Sequence, residues 1–279
     1  MKQTPEDPGS GMQARLLEKI RNDAMLKFHQ INRPLNLFSL NPSGTCLVIV
    51  DMQNFSCIPA TTAGFPGIGD VICRINRFAG FCRQIGVPVI WVRHALTPDA
   101  GSTGAGLYPE FHDKEQLGIL NDHSKGTEIY SGMEVDTSRD HVVVKNRYSA
   151  FQSNPPELKE KLDSLHRTQL VIAGIAANVC VESTIRDAMQ LDYEVVLISD
   201  CTTTFDEALL EATMKNTLHF FGDVRSADEI RGELHENCGK NGTPAGDYPP
   251  HAAPSRPQKE RTGRTARPPR SPALRKPAS

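Results

Sequence analysis

The stretch QLVIAGIAANVCVESTIRDAM, residues 169–189, combines the signals of a strand, a tight turn and a helix. The apolar run from Leu170 to Ile175 predicts a strand buried on both faces, and the small residues after it predict a sharp turn. The helix is expected to begin at or near Cys180. A thiol there lies at the positive end of the peptide dipoles, which favours the thiolate, and nearby N–H groups can stabilise an oxyanion. A free cysteine taken alone is more often a buried packing residue, so the rest of the chain decides between the two interpretations.

Strand-like and helix-like segments alternate on both sides of this stretch. Segments with helical spacing of apolar residues separate most of the strand-like runs. This alternation predicts an α/β fold, three-layered and Rossmann-like, with a parallel sheet, helices on both faces, and ligands at the carboxyl ends of the strands. The predicted strands are residues 45–50, 88–95, 141–145, 170–175 and 194–199, and a short final strand before about Leu234.

Composition divides the chain into three regions. Residues 44–234 carry the alternating pattern and form the predicted catalytic body, within which residues 96–139 predict a long irregular insertion. Residues 1–43 predict an N-terminal arm with an amphipathic helix. Residues 235–279 predict a disordered basic tail rich in Pro and Arg.

The helix of the N-terminal arm has an apolar stripe that must be covered by something. The stripe repeats at spacings of three and four residues. Either the body of the same chain or a second subunit can cover it. The second possibility leads us to expect a homo-oligomer. Its residues are Leu17, Ile20, Ala24, Phe28 and Ile31.

Charge and cysteine content argue against several classes of protein. Residues 251–279 hold eight Lys and Arg residues against Glu260, while the whole chain has a net charge of −2, so the remainder is acidic and nucleic acid is not an expected partner. Seven cysteines without a CxxC pair argue against a disulfide framework or a structural zinc site. The polar N-terminus does not resemble a signal peptide, and no apolar run has membrane-spanning length. We therefore expect a cytoplasmic protein without a membrane partner.

Three polar residues lie where predicted buried strands end. Asp51 follows CLVIV, Lys145 ends HVVVK, and Cys180 follows the run quoted above. Each has an ordinary alternative: a cap, a lysine that reaches solvent, and a core thiol. Because the carboxyl ends of parallel strands lie at one edge of the sheet, we expect the three to converge. Lys145 would then hold Cys180 as thiolate, and Asp51 would transfer protons.

Three segments carry a family resemblance. DMQN (51–54), KNRYSAF (145–151) and GIAANVCVEST (174–184) resemble the signature segments of the isochorismatase-like cysteine hydrolases, in the family's order, over roughly residues 44–234. The resemblance implies a six-stranded parallel sheet and a catalytic triad of Asp51, Lys145 and Cys180. It also implies a cis peptide between Ile175 and Ala176, and an oxyanion hole formed by the amides of Ala176 and Cys180.

The motifs are most similar to the ureidoacrylate amidohydrolase branch of that family. Cys180 indicates C–N bond hydrolysis, because isochorismatases proper usually lack the cysteine. Nicotinamidases carry an Asp-x-His metal motif, whereas VRHAL (92–96) offers only His94, so we expect no metal and no cofactor. The family more commonly has Thr at the position of Ala177, in the turn before Cys180. This chain therefore lacks a hydroxyl behind the predicted nucleophile.

The predicted function is therefore hydrolysis of a small amide, carbamoyl or ureido compound, ureidoacrylate-like, through a Cys thioester. The alternatives are a nicotinamidase or isochorismatase-type hydrolase and, from another class, a catalytically silent binding or assembly module. Either simple packing or substrate contact explains the two aromatic residues among the substrate-binding candidates. These candidates flank the triad segments and are Asn54, His94, Tyr148, Phe151 and Asn178.

Overall fold

The computed structural model describes residues 8–58, 65–96 and 106–238. The strands in these ranges are β1 (Thr45–Val50), β2 (Val89–His94), β3 (His141–Lys145), β4 (Gln169–Gly174), β5 (Glu194–Thr202) and β6 (Asp223–Arg225). They form one six-stranded parallel sheet with the order β3-β2-β1-β4-β5-β6. The order reverses between β1 and β4, which is where ligands bind in open α/β sheets. The predicted fold class is confirmed.

Helices cover both faces of the sheet. The helices in the described ranges are α1 (Pro8–Gln30), α2 (Asn54–Cys57), α3 (Ile68–Gln84), α4 (Lys114–Ile119), α5 (Glu157–Ser164), α6 (Glu182–Gln190), α7 (Glu207–Asn216) and α8 (Ala227–Asn237).

Alternate side chains of the central strand point into two separate cores. Cys46, Val48 and Val50 of β1 pack in one core with α1, α5, α6 and α7, whereas Leu47 and Ile49 pack in the other with α3 and α8. All six residues of β1 are buried, as the unbroken apolar run predicts.

The apolar stripe of α1 packs on the body of its own chain. Leu17, Ile20, Ala24 and Phe28 are buried in the same core as β1. Ile31 is 60% exposed, so its inclusion in the stripe was wrong: the helix ends at Gln30 and the chain turns away. Because the chain covers the stripe itself, the stripe no longer supports a homo-oligomer, which stays a prediction.

Two predicted regions differ in detail from the structure. The described part of the insertion, residues 106–139, contains α4 and single helical turns at Tyr108–Glu110 and Lys125–Thr127. Helix α8 continues to Asn237, a little beyond the start predicted for the tail, and residues 239–279 lie outside the described residues. None of the helices in the described ranges has both the length and the apolar character needed to cross a bilayer.

Candidate active site

Asp51, Lys145 and Cys180 meet at the carboxyl edge of the sheet. The Lys145 ammonium lies 2.9 Å from Asp51 Oδ2 and donates to Cys180 Sγ at 3.2 Å. Its third hydrogen bond goes to the carbonyl oxygen of Arg147 at 3.0 Å. All three donors of the ammonium are therefore used, and the lysine is fixed between a carboxylate and a sulfur.

Burial sets the protonation state of this group. Lys145 and Asp51 are almost completely buried, and Cys180 is 7% exposed. Burial lowers the pKa of Lys145, but the nearby Asp51 carboxylate and Cys180 outweigh it and the net shift is upward. Burial also raises the pKa of Asp51, although the Lys145 charge opposes the shift. The two groups form a buried ion pair.

The pKa of the Cys180 thiol is raised as well, first by burial and then by the negative charge of Asp51. Lys145 acts in the opposite direction but does not outweigh them. This upward shift favours the thiol over the resting thiolate that we expected from Lys145 and the helix start. Its cause is the desolvation of an anion in a buried site, which opposes the stabilisation that one shared ammonium provides.

Backbone geometry at two strand ends brings the triad together. Asp51 has φ of 55°, in the left-handed region, where Asp is found more often than most residues. Gly174 at the end of β4 has φ of 116°, and a Cβ there would lie 2.1 Å from the carbonyl oxygen of Val50. Only glycine fits this close approach. Gly174 thereby places residues 175–181, called the nucleophile turn after the predicted role of Cys180, directly against the end of β1.

Cys180 lies on a short turn between β4 and α6. Ile175–Ala176 is a cis peptide, as the resemblance implies. Residues 177–181 form a π-helical turn that leads into α6 at Glu182, so Cys180 lies at the start of the helix as predicted. Within the described part of the chain, the amide of Ala176 makes no hydrogen bond, which leaves it available to an oxyanion.

His94 ends β2 and faces the triad. One of its ring nitrogens lies within 4.8 Å of both the Cys180 sulfur and a carboxylate oxygen of Asp51. The ring is buried and Nε2 has no partner among the described residues. Burial, and next the Lys145 charge, lower the pKa of His94 well below its usual value, so the imidazole is neutral. A neutral imidazole with a free nitrogen suits hydrogen bonding to a polar substrate.

Two tyrosines form a wall beside His94. Tyr108 stacks on Tyr148 with ring centroids 4.7 Å apart and meets the His94 ring edge-on at 5.5 Å. The Tyr148 hydroxyl lies 3.1 Å from His112 Nε2, whereas the buried Tyr108 hydroxyl has no partner in the described ranges. Tyr148 was predicted to line the site; Tyr108, in the insertion, was not.

Comparison with known proteins agrees with this geometry. The family model of the isochorismatase domain matches residues 45–229. The chain belongs to the isochorismatase family. Its members include hydrolases, and this chain is an isochorismatase-family hydrolase by its domain and its relatives.

Among the relatives of this isochorismatase-family chain is a ureidoacrylate amidohydrolase RutB from Methylobacterium radiotolerans. It is 34% identical over 202 residues, which cover 67% of this chain and 78% of the relative. Nicotinamidase 3 from Arabidopsis thaliana is 30% identical over 198 residues, covering 71% and 92%. A cysteine hydrolase from Pseudomonas syringae pv. phaseolicola has a similar structure, with a TM-score of 0.64, 25% identity and coverage of 74% and 99%.

The donor set around the triad does not fit a nicotinamidase-type metal centre. Of the three residues after Val92, Arg93 pairs with Asp122 at 2.8 Å and Ala95 has no donor, so only His94 faces the site. Asp51, His94 and Cys180 do offer three close donor atoms. The Lys145 ammonium, however, contacts two of these residues, and a divalent cation would lie against that positive charge. The absence of a metal stays a prediction.

Three other predicted pocket residues have partners of their own. The side-chain amide of Asn54 donates to the carbonyl oxygen of Lys125 at 2.8 Å, which ties it to the insertion. Phe151 packs on Tyr193 with ring centroids 5.4 Å apart and is buried in the core, as the packing alternative expects, and its substrate contact stays a prediction. Asn178 Oδ1 accepts a hydrogen bond from the Thr204 hydroxyl.

The sequence interpretation missed one residue that fixes His94. Gln53 is fully buried and its side-chain oxygen accepts from the His94 amide at 2.7 Å. Its side-chain nitrogen donates to the carbonyl oxygens of His94 and Thr127. Gln53 therefore joins the end of β2 to the insertion. Its position within DMQN, two residues after a catalytic candidate, was a signal that could have identified it.

Proposed function

We propose that this chain is a cysteine amidohydrolase that cleaves a C–N bond of a small amide, carbamoyl or ureido compound, with a ureidoacrylate-like substrate favoured. The observation that carries the proposal is the single Lys145 ammonium in contact with both the Asp51 carboxylate and the Cys180 sulfur. The ureidoacrylate amidohydrolases among the relatives support the choice of substrate class.

The first half of the reaction forms a thioester. The Cys180 thiol gives its proton to Asp51 as sulfur attacks the substrate carbonyl carbon. The amides of Ala176 and Cys180 stabilise the oxygen anion that develops. Asp51 then protonates the departing nitrogen, the C–N bond breaks, and the acyl or carbamoyl group remains on sulfur.

The second half releases the acid. Asp51, again a carboxylate, takes a proton from water as the water oxygen attacks the thioester carbonyl. The carbon–sulfur bond breaks, and the proton returns to Cys180. Lys145 keeps its charge throughout and stabilises the sulfur anion each time it forms, since its ammonium already donates to Sγ.

The raised pKa of Asp51 predicts the acid side of the pH profile. Burial shifts this pKa upward from 3.8. The carboxylate is the base, so activity is present above the raised pKa and is lost as the pH falls through it. We expect the acid limb of kcat/KM to lie above pH 3.8, measured under conditions in which the protein stays folded. An acid limb at or below that value would contradict the assignment of Asp51 as base.

Tyr108 and His94 supply the polar contacts of the proposed substrate site. Both have a buried polar atom without a partner in the described residues. Such an atom is costly unless a ligand satisfies it, and both residues lie beside the triad. We infer that they hydrogen-bond the amide or ureido group.

Replacing Tyr108 with Phe is expected to raise KM about fivefold with little change in kcat, since one hydrogen bond to substrate is worth roughly 1 kcal/mol. Steady-state kinetics would measure this. Tyr130→Phe is the matched control, because Tyr130 packs against the other core. An unchanged KM in Tyr108→Phe would remove the hydroxyl from the substrate site.

A release assay for ammonia and carboxylic acid tests the function itself. Small amides, ureides, a ureidoacrylate analogue and nicotinamide would be assayed with and without a chelator. We expect chelator-insensitive hydrolysis of a ureide or amide. Nicotinamide turnover that the chelator abolishes would instead support a metal-dependent nicotinamidase, an alternative that the relative from Arabidopsis thaliana motivates. No turnover and no reaction of Cys180 with thiol reagents would support the silent module.

A further inference from the structure

Three consecutive threonines, the last residue of strand β5 and the two residues after it, lie against the nucleophile turn. Thr202, Thr203 and Thr204 are all buried. The Thr202 hydroxyl donates to the carbonyl oxygen of Gly174 at 2.7 Å, just ahead of the turn. The carbonyl oxygen of Thr203 accepts from the Ala177 amide at 2.9 Å. The strand therefore holds the turn on both sides of Ala176.

The side chain of Thr204 extends this contact towards the nucleophile. Its hydroxyl donates to Asn178 Oδ1, two residues before Cys180. The hydroxyl of Thr203 points elsewhere and donates to the carbonyl oxygen of Pro66 at 2.7 Å. The hydroxyls of Thr202 and Thr204 thus donate to the residue before the turn and to the turn itself, whereas Thr203 contacts the turn through its main-chain carbonyl oxygen.

An irregularity in β5 makes these contacts possible. Pairing with β4 runs regularly to Ile172↔Leu197, and the next paired position is Gly174↔Thr202. Extra residues of β5 are accommodated between the two points, as in a bulge beside an active site. The carbonyl oxygen of Thr202 is held in turn by the Gln13 side chain of α1 at 2.7 Å.

We propose that Thr202 and Thr204 are positioning residues for the oxyanion hole and for the nucleophile turn; this proposal rests on the proposed function. Ala177 offers no hydroxyl of its own, so the neighbouring strand supplies the hydrogen bonds that fix the turn. The Thr202 contact restrains the carbonyl of Gly174, two residues before the amide at Ala176. Oxyanion stabilisation depends on donors held at the correct distance, and small displacements of such donors cost rate.

Replacing Thr202 with Val is the direct test, because it removes the hydroxyl and keeps the shape. We expect kcat to fall about 10- to 100-fold with little change in KM, since the loss falls on the transition state. The alkylation rate of Cys180 should stay near the wild-type rate, because the triad contacts are unchanged. Thr202→Ser, which restores the hydroxyl, should recover kcat. We expect Thr204→Val to lower kcat by a smaller factor than Thr202→Val does, and Thr204→Ser to recover kcat.

Thr217→Val is the matched control for both positions. Thr217 is fully buried, and within the described residues its hydroxyl has no partner, so this variant should keep wild-type kcat. Wild-type kcat in the Thr202→Val enzyme would overturn the proposal. A kcat of the Thr202→Ser enzyme as low as that of Thr202→Val would overturn it as well. Cys180→Ala separates it from the proposed function: if that variant stays active the function itself fails, whatever Thr202 does.

Discussion

Replacing Cys180 with Ala is expected to abolish hydrolysis while the protein stays folded. The nucleophile is lost, and removal of such a group typically costs about 10⁴-fold or more in rate. Asp51 and Lys145 keep their ion pair at 2.9 Å, so no buried charge is left unpaired. Product formation, thermal unfolding and circular dichroism would be compared with the wild-type protein.

Cys82→Ala is the matched control for loss of a buried thiol. Cys82 lies in α3 and packs in the other core, away from the triad. We expect it to lower stability and to keep kcat. A Cys180→Ala protein with more than about one per cent of wild-type activity, far above the residual expected for a missing nucleophile, would contradict the role of Cys180.

Replacing Asp51 with Asn has the second-largest expected effect. The amide cannot take the thiol proton or return it to the leaving nitrogen, so we expect kcat to fall about 10³- to 10⁴-fold. The same change leaves the Lys145 ammonium buried without its carboxylate, which typically costs 3–5 kcal/mol of stability, so a lost activity alone would be ambiguous.

A double variant resolves this ambiguity. Asp51→Asn combined with Lys145→Met removes both charges, and we expect it to be more stable than Asp51→Asn alone while remaining inactive. Thermal melts and single-turnover assays would measure the two quantities separately. If Asp51→Asn kept substantial activity at neutral pH, proton transfer would have to be assigned to another group, with His94 as the nearest candidate.

The convergence of Asp51, Lys145 and Cys180 was predictable from the sequence because it follows from local patterns. Each member ends or closely follows an unbroken apolar run, and parallel strands place such ends together. The protonation state of Cys180 was not predictable in this way. That state depends on how deeply the thiol is buried, which no spacing rule gives.

Other contacts of the site were not predictable for the same physical reason. Tyr108 lies in the insertion, where periodicity is absent, and long-range bonds such as that between Gln53 and Thr127 tie the insertion to the site. Phe151 stands in a family-like motif beside Tyr148, yet its ring packs on Tyr193, because neighbouring residues in a turn point in different directions. The stripe of α1 predicted a buried face but could not say which surface would cover it.

Mass spectrometry of quenched turnover would show whether Cys180 is acylated during hydrolysis. The best substrate of the release assay would be mixed with the wild-type protein, quenched in acid within one turnover, and digested. We expect a peptide containing Cys180 that carries the mass of the acyl or carbamoyl group, that disappears as substrate is consumed, and that is absent in Cys180→Ala. Multiple turnovers with no adduct on Cys180 at any time, together with hydrolysis by Cys180→Ala, would contradict it.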